Sequence, residues 1–393
     1  MQIAIAGAGI GGLAAASLLH DLGHTVTLFD QFDAPAPVGS GLVIQPVGLD
    51  VLERIGAGTA ARGFGTPITR MLGREAASGR RVLDVRYGVV PGLAIHRAAL
   101  FQALLGAARS RGIALTPASR VTGREGPRLI LAGGARTAPF ELIVDACGAG
   151  SPLSPLIARP LPYGAVWGTV AWPDTELPRD RLSQRYRWAD RMLGVLPIGR
   201  LPGATGDKAA IFWSLPADGH GSWRQAGLEA WKDEARSLWP AFAPFIAQIS
   251  DANQMTMARY GHGTLRKPWS EGMVHIGDAA HRASPQLGQG ANMALLDADA
   301  LAAALAHFPA PDAPRAYAMG RRWHVRAYQG MSALFTPQYQ SDSRWLPVLR
   351  DRLLFPLSQI PPLPRILSRL VSGSLLPPSG SLPPAAGTPP PQG

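Results

Sequence analysis

The feature that most constrains the fold is the opening of the chain, where the apolar run "IAIAGAG" passes directly into "IGGLAAASLLHDLG". Ile3, Ile5 and the small residues around them leave no polar face, which predicts a short buried strand. "GGLAAASLLHDLG" predicts a helix, packed through Leu18, Leu19 and Leu22 and stopped by Gly23. "HTVTLFD" then reads as a second strand ending at Asp30, completing a strand–helix–strand unit of the length a parallel crossover needs. Gly7, Gly9 and Gly12 spell G-x-G-x-x-G at the turn. Gly7 permits the sharp bend, Gly9 lets the backbone approach a pyrophosphate, and Gly12 allows close helix–strand contact. The helix start, at Ile10 and Gly11, supplies backbone donors and positive potential. Asp30, 18 residues beyond Gly12, sits where a carboxylate can accept hydrogen bonds from ribose hydroxyls. The unit predicts a bound dinucleotide, with NAD and FAD both open at this point.

A second loop, "GDAAHRASPQLGQGAN" at residues 277–292, follows the strand-like "GMVHIGD" and precedes the strongly helical "ANMALLDADALAAALAHF". Asp278 can hold hydroxyl groups, and Gly288 and Gly290 let the main chain touch a flat ring. The following helix N-terminus favours an anion. Two such loops bind either two ligands or two parts of one long ligand, and the second arrangement is favoured.

The stretch "GDAAHRASPQLGQGANMALLDA" resembles the second FAD motif of the class A flavoprotein monooxygenases, a family built on the fold of para-hydroxybenzoate hydroxylase. "GSGLVIQPVGLDVLERIG" and "IHRAALFQALL" resemble its intervening segments, so the similarity runs from residue 1 to about 308. The resemblance implies one FAD gripped by both loops, with Asp278 on the ribityl chain. The segment Pro285, Gly288, Gln289, Gly290, Ala291 and Asn292 would run along the isoalloxazine. It also implies that Gly41, Leu42 and Gln45 border the cofactor and that Arg97 lies at its pyrophosphate side. His281 is expected to be a structural loop residue. The implied activity is that of an NAD(P)H-dependent monooxygenase. O2 would add at the flavin C4a position, and the hydroperoxyflavin would hydroxylate an aromatic or other electron-rich apolar small molecule. No second G-x-G-x-x-G follows a strand, which suits a class whose nicotinamide has no domain of its own. The alternatives are a non-hydroxylating flavin oxidoreductase and a flavin-bound accessory protein with little turnover; a halogenase is disfavoured because no W-x-W-x-I-P occurs.

One departure from the family pattern is "VDACGAGS", where Cys147 occupies the place of the usual aspartate before Gly148 and Ser151. This puts nicotinamide uptake in question. Asp145 is a substitute only if the register slides, and strand alternation would place it on the same face as Cys147. Cys147 itself is expected to be a small buried thiol rather than a nucleophile.

Between residues 163 and 215, "AVWGTVAW", "MLGVLPI" and "AAIFWSL" read as strands separated by Pro, Gly and charged loops, with no crossover helix among them. The expected fold is therefore α/β: a Rossmann-like FAD-binding domain (1–66, 88–160, 256–310), an inserted, mostly antiparallel β-sheet substrate domain (67–87, 161–255) and a C-terminal helical extension (311–371) broken by prolines. Residues 372–393 are dominated by Pro, Gly and Ser and are expected to be disordered. Trp167, Tyr186, Trp188, Met192 and Trp213, together with Pro285, are the candidates for substrate contact.

A chain of 393 residues, 46% hydrophobic, can bury a large core. Its single cysteine excludes an intrachain disulfide and a cysteine metal site, and the nine histidines show no ligand-like spacing, so no metal is expected. The apolar runs are too short to span a bilayer, and the start offers no signal-peptide pattern, so a cytoplasmic protein is expected. Net charge is +11, and residues 315–369 hold nine arginines against Asp342 and Asp351. That flank suggests a solvated or subunit-facing surface of a monomer or homodimer, or peripheral contact with a membrane. Nucleic acid is an unexpected partner, because no aromatic-interleaved basic module accompanies the charge.

Overall fold

The computed structural model describes residues 1–33, 40–380 and 382–383. The opening strand, Gln2–Ala6, is central to a six-stranded sheet, parallel to Leu142–Asp145 on one side and to Thr25–Phe29 on the other. Ala114–Thr116 and Met273–His275 extend it in parallel, and only the edge strand Trp269–Ser270 runs antiparallel. The central strand is buried over Ile3, Ala4, Ile5 and Ala6, as a strand covered on both faces requires. Helix Ile10–Asp21 packs on helix Gly290–His307 so closely that a Cβ on Gly11 would lie 3.3 Å from Ala294 Cβ. This contact brings the two glycine loops together across the sheet edge.

The second sheet has eight strands, in the order His281–Arg282, Thr256–Thr264, Arg159–Ala171, Lys208–Pro216, Arg191–Gly199, Arg181–Arg187, Arg70–Glu75 and Arg81–Arg86. Its pairings are antiparallel except between Arg181–Arg187 and Arg70–Glu75. Thr256–Thr264, expected in the FAD domain, is thus a strand of the second sheet. One face is covered by helices Leu228–Leu238 and Ala243–Ile246, which bury Trp231, Phe245 and Ile246 against Val166, Ile211 and Trp213.

The C-terminal region is less broken than its prolines suggest. Ala313–Tyr339 is one helix containing Pro337, which ends two residues later. Pro347 and Pro356 are absorbed into a continuous helical run over residues 345–358, which includes a π turn at Arg350–Leu354. Pro364 sits in a first turn, where a missing N–H costs little.

Part of the segment expected to be disordered is instead packed. His324 Nε2 donates to Gly373 O at 3.1 Å, Arg321 donates to Pro378 O, and Leu382 lies against Gly320. Residues 384–393 lie outside the described part. Proline and glycine composition misled here because buried partners on another helix supply the hydrogen bonds that the segment cannot make for itself. Among the described residues no helix is long and apolar enough to cross a membrane.

Candidate active site

The N-terminal turn is built as its glycines require. Gly7 has φ +99°, and a Cβ there would lie 2.5 Å from Ala146 O. A Cβ on Gly12 would come within 1.9 Å of Gly7 O, so Gly12 serves the helix–strand contact and does not face the ligand. A Cβ on Gly9 would meet nothing within 4 Å. It opens instead on a cavity of about 1130 Å³, lined at this end by Gly7, Gly9, Ile10, Gly11 and Asp30. Asp30 Oδ2 accepts from Ala8 N at 2.8 Å and Oδ1 from Phe32 N at 3.0 Å, which fixes the carboxylate at the cavity edge. Helix Ile10–Asp21 has no acidic residue in its first turn, so its positive end is uncompensated.

The cavity continues past Gly41, Leu42 and Arg97 to Asp278, which is exposed, and then along Pro285, Gly288, Gly290 and Ala291. Gly288 turns with φ +63°. Gln45, Gln289 and Asn292 are placed differently from expectation: their side chains are buried behind this loop. Asn292 Oδ1 accepts from Gln45 N at 2.8 Å and its Nδ2 donates to Val43 O at 3.1 Å, while Gln289 donates to Val371 O at 3.3 Å. They hold the loop's shape. Gln45 Nε2 and Gln289 Oε1 remain buried without partners, and Gln45 Nε2 lies 3.5 Å from where a Cβ of Gly288 would be.

These features fit FAD. Two helix N-termini without acidic first turns, a ribose-side carboxylate, a second carboxylate halfway along, and an open lane over glycine backbone match its pyrophosphate, ribose, ribityl and ring in order.

His281 is buried, with Nε2 2.6 Å from Asp297 Oδ2, and therefore structural. Asp297 also accepts from Gly277 N at 2.8 Å and Arg321 Nε at 2.7 Å. Burial raises the Asp297 pKa, but His281 and Arg321 reverse that and hold it far below the usual carboxylate range. The pair thereby pins the turn that presents Asp278.

Asp145 does not replace the missing aspartate. It is fully buried, accepts from Ser151 Oγ at 2.7 Å and Cys147 N at 3.1 Å, and lies 2.7 Å from His275 Nδ1. The strand ends at Asp145, yet the Cys147 thiol still lies against the Asp145 carboxylate and Ser151; Cys147 is half-buried and lines the cavity. Burial, reinforced by Asp145, pushes the thiol far above its ordinary pKa, which removes it as a nucleophile.

The far end of the cavity is an aromatic chamber. Trp167, Tyr186, Met192, Phe212 and Tyr260 come from the second sheet, and Phe335, Tyr339 and Arg350 from the C-terminal helices. Trp167 packs on Phe212 with ring centroids 4.6 Å apart and planes tilted by 37°, and donates from Nε1 to Tyr260 Oη at 2.9 Å. Of the residues expected to contact substrate, Trp188 and Trp213 do not line the chamber: Trp188 is 55% exposed. Trp213 is 1% exposed, faces the opposite side of the sheet and meets Trp231 edge-on at 6.4 Å. Alternation along "AAIFWSL" puts Phe212 and Trp213 on opposite faces, but it does not say which face is the chamber.

The Rossmann-like sheet, the two glycine loops and the inserted sheet together define a flavoprotein fold. A family model described as "FAD binding domain" matches residues 1–126 and 211–317, more than half of the chain. The chain belongs to that FAD-binding family and is a class A flavoprotein monooxygenase. It is similar to 6-hydroxynicotinate 3-monooxygenase of Pseudomonas fluorescens, 25% identical over 374 residues that cover 89% of this chain and 93% of the relative. It is also similar to 3-amino-4-hydroxybenzoate 2-monooxygenase of Streptomyces cremeus, 28% identical over 325 residues and 78% of each chain. Among solved structures, Klebsiella pneumoniae HpxO complexed with FAD superposes with a TM-score of 0.80 at 20% identity, covering 98% of this chain and 100% of that one. The tetrameric form of 2-methyl-3-hydroxypyridine-5-carboxylic acid oxygenase gives 0.76 at 22%, covering 94% and 95%.

Proposed function

We propose that this monooxygenase uses NAD(P)H and O2 to hydroxylate an aromatic small molecule. The observation that carries the reading is the continuity of one cavity from the dinucleotide turn at Gly9 to the aromatic chamber around Trp167 and Phe212. Relatives whose names specify hydroxynicotinate and aminohydroxybenzoate substrates support an aromatic ring in that chamber. FAD, once bound and reduced, supplies the activation of O2. The chain's own contribution is positional. Gly9 and the first turn from Ile10 receive the pyrophosphate, Asp30 and Asp278 hold hydroxyls, and the backbone from Pro285 to Gly290 seats the ring. Trp167, Phe212 and Met192 hold the substrate and exclude water. Arg97 and Arg120, both lining the cavity, are candidates for the anionic cofactor. In the altered "DACGAGS" stretch, Cys147 is the proposed determinant of how nicotinamide approaches.

The test is turnover with a panel of phenols and hydroxylated heteroaromatics under 18O2, read by mass spectrometry of the product. Label in the product is expected. Stimulated NAD(P)H consumption with unlabelled product and all oxygen recovered as H2O2 would replace hydroxylation by an oxidase activity.

A second proposal concerns the molecule's surroundings, namely peripheral contact with an anionic bilayer. Trp345, Leu349, Leu353, Leu357, Ile360 and Ile366 are exposed along the C-terminal helices, interleaved with exposed Arg344, Arg352, Arg365 and Arg369. Apolar residues with an arginine fringe suit a headgroup region. Co-sedimentation at physiological salt is expected with phosphatidylglycerol-containing vesicles and not with pure phosphatidylcholine; no sedimentation with either would end this reading.

A further inference from the structure

Arg350 is set in the wall of the aromatic chamber and is 2% exposed, at the start of the π turn in the helical run over residues 345–358. Its guanidinium carbon lies 5.2 Å from the ring centroid of Tyr186 and 4.9 Å from that of Tyr339, between two aromatic groups. Most of the fork is already committed. Nε donates to Asp351 Oδ1 at 2.6 Å, and Nη1 donates to Gln338 O at 2.7 Å and Trp188 O at 3.2 Å. Trp188 presents that carbonyl from a left-handed conformation, φ +49°, which a tryptophan adopts only at a cost. Nη2 is buried and has no partner.

A buried donor on a charged group that is left unmatched is unfavourable, and this many constraints holding one nitrogen bare point to an acceptor supplied from outside the chain. The chamber wall has a second orphan. Gln184 is buried with Oε1 unpaired, and its Nε2 makes only a long contact of 3.6 Å to Met192 Sδ. Gln286, on the turn Pro285–Leu287 assigned to the flavin ring, reaches the same sulfur at 3.9 Å, which ties Gln184 to the ring end of the site.

Charge favours an anionic acceptor. Asp351 is the carboxylate ion-paired with Arg350, and it shares a small adjoining cleft with Arg74, Arg80 and Arg81. Asp84 is taken by Arg70 at 2.5 Å and Arg81 at 3.0 Å, and Glu75 faces Arg80. Positive charge therefore still exceeds negative around the chamber's outer wall; Arg80 and Arg81 are exposed and screened by solvent, and the buried Arg350 acts on an anion inside at short range.

We propose that Arg350 is a specificity-determining residue that receives the carboxylate of an aromatic acid through Nη2, the ring extending past Met192 and Phe212 toward Gln286. This deepens the hydroxylase reading and rests on its assignment of the chamber to substrate. The test uses full-length FAD-loaded enzyme, without NAD(P)H, titrated with hydroxybenzoates and hydroxynicotinates and with the carboxamide of each. Binding is followed by the change in the visible flavin spectrum. The wild type is expected to bind at least one acid about tenfold or more tightly than its carboxamide, as loss of a charged hydrogen bond implies.

Arg350→Gln should bring that ratio near one. Arg350→Lys, which keeps the charge without the fork, should retain part of it. A wild-type ratio near one, no binding by any acid of the panel, or a ratio unchanged in Arg350→Gln overturns the proposal. Since Arg350 also braces Trp188 and Gln338, failure of Arg350→Gln to fold leaves the wild-type ratio and Arg350→Lys to decide. An acid preference found together with unlabelled product in the 18O2 experiment would keep this site and discard hydroxylation, so the two readings fail separately.

Discussion

Single residues in this site divide by which face of a strand they occupy. Trp213 belongs to the core beneath the second sheet, where it packs on Trp231 under the Arg191 guanidinium, while Trp167 faces the chamber. Trp213→Ala should therefore act on stability, costing about 3–5 kcal/mol in denaturant unfolding as other buried tryptophans do. Trp167→Ala should cost less stability and raise the fraction of NAD(P)H oxidation that ends as H2O2, because a loosely held substrate is missed. A stable Trp213→Ala that uncouples would reverse the assignment of faces. A similar contrast separates Asp278 from His281. Asp278→Ala should weaken FAD retention on dialysis directly at the ligand, whereas His281→Ala should lower the melting temperature by leaving Asp297 with one fewer partner.

At the scale of the element, the glycine turn carries two different requirements, and alanine substitutions separate them. Gly12→Ala would drive a Cβ to within 1.9 Å of Gly7 O, which forces the helix away from the strand. It should destabilise the apoprotein by about 1–3 kcal/mol, in the range of an overpacked core. Gly9→Ala meets no protein atom within 4 Å, so the apoprotein should melt normally while FAD affinity drops. Equal FAD binding by Gly9→Ala and wild type, measured by fluorescence of released flavin, would mean that the pyrophosphate does not approach this turn. The C-terminal helices show the opposite relation between sequence and element. Pro337 precedes a helix end and Pro361 and Pro362 lie between helices, but Pro347 and Pro356 fall inside the run over residues 345–358, where a π turn lets it continue to the chamber wall.

For the whole molecule, the buried links between the long helix Ala313–Tyr339 and the C-terminal segment predict acid sensitivity. His324 is 1% exposed; burial, helped by the Arg321 charge, lowers its pKa to about 3. Arg321 Nη1 donates to Nδ1 at 3.2 Å, so the proton sits on Nε2 and the neutral ring satisfies both contacts. The unfolded chain takes up this proton first as pH falls below the ordinary value near 6.5. Stability is therefore complete above that value and declines toward pH 3, by about 2 kcal/mol between pH 6.5 and 5. Asp297, with its pKa depressed, adds a further loss below about pH 4, where the unfolded carboxylate protonates. Melting temperature against pH should fall through the upper window in the wild type and more shallowly in His324→Gln. Identical slopes in the two would mean that this histidine does not carry the effect.

The sequence alone determined the parts of the protein that obey local rules. The glycine spacing at Gly7, Gly9 and Gly12, the strand-end Asp30 and Asp278, and the helix starts after both loops were legible because a tight turn and a helix N-terminus are set by residues a few positions apart. Tertiary structure decided everything that depends on pairing across the chain. Whether Phe212 or Trp213 faces the chamber follows from which side helix Leu228–Leu238 covers, and alternation is symmetric until that helix arrives. Gln45, Gln289 and Asn292 turned out to brace the loop because partners up to 249 positions away use their polar groups. Arg350 carried no local signal at all: its position at the chamber depends on Tyr186 and Trp188, more than 160 residues earlier, closing over a helical run that continues through Pro347 and Pro356.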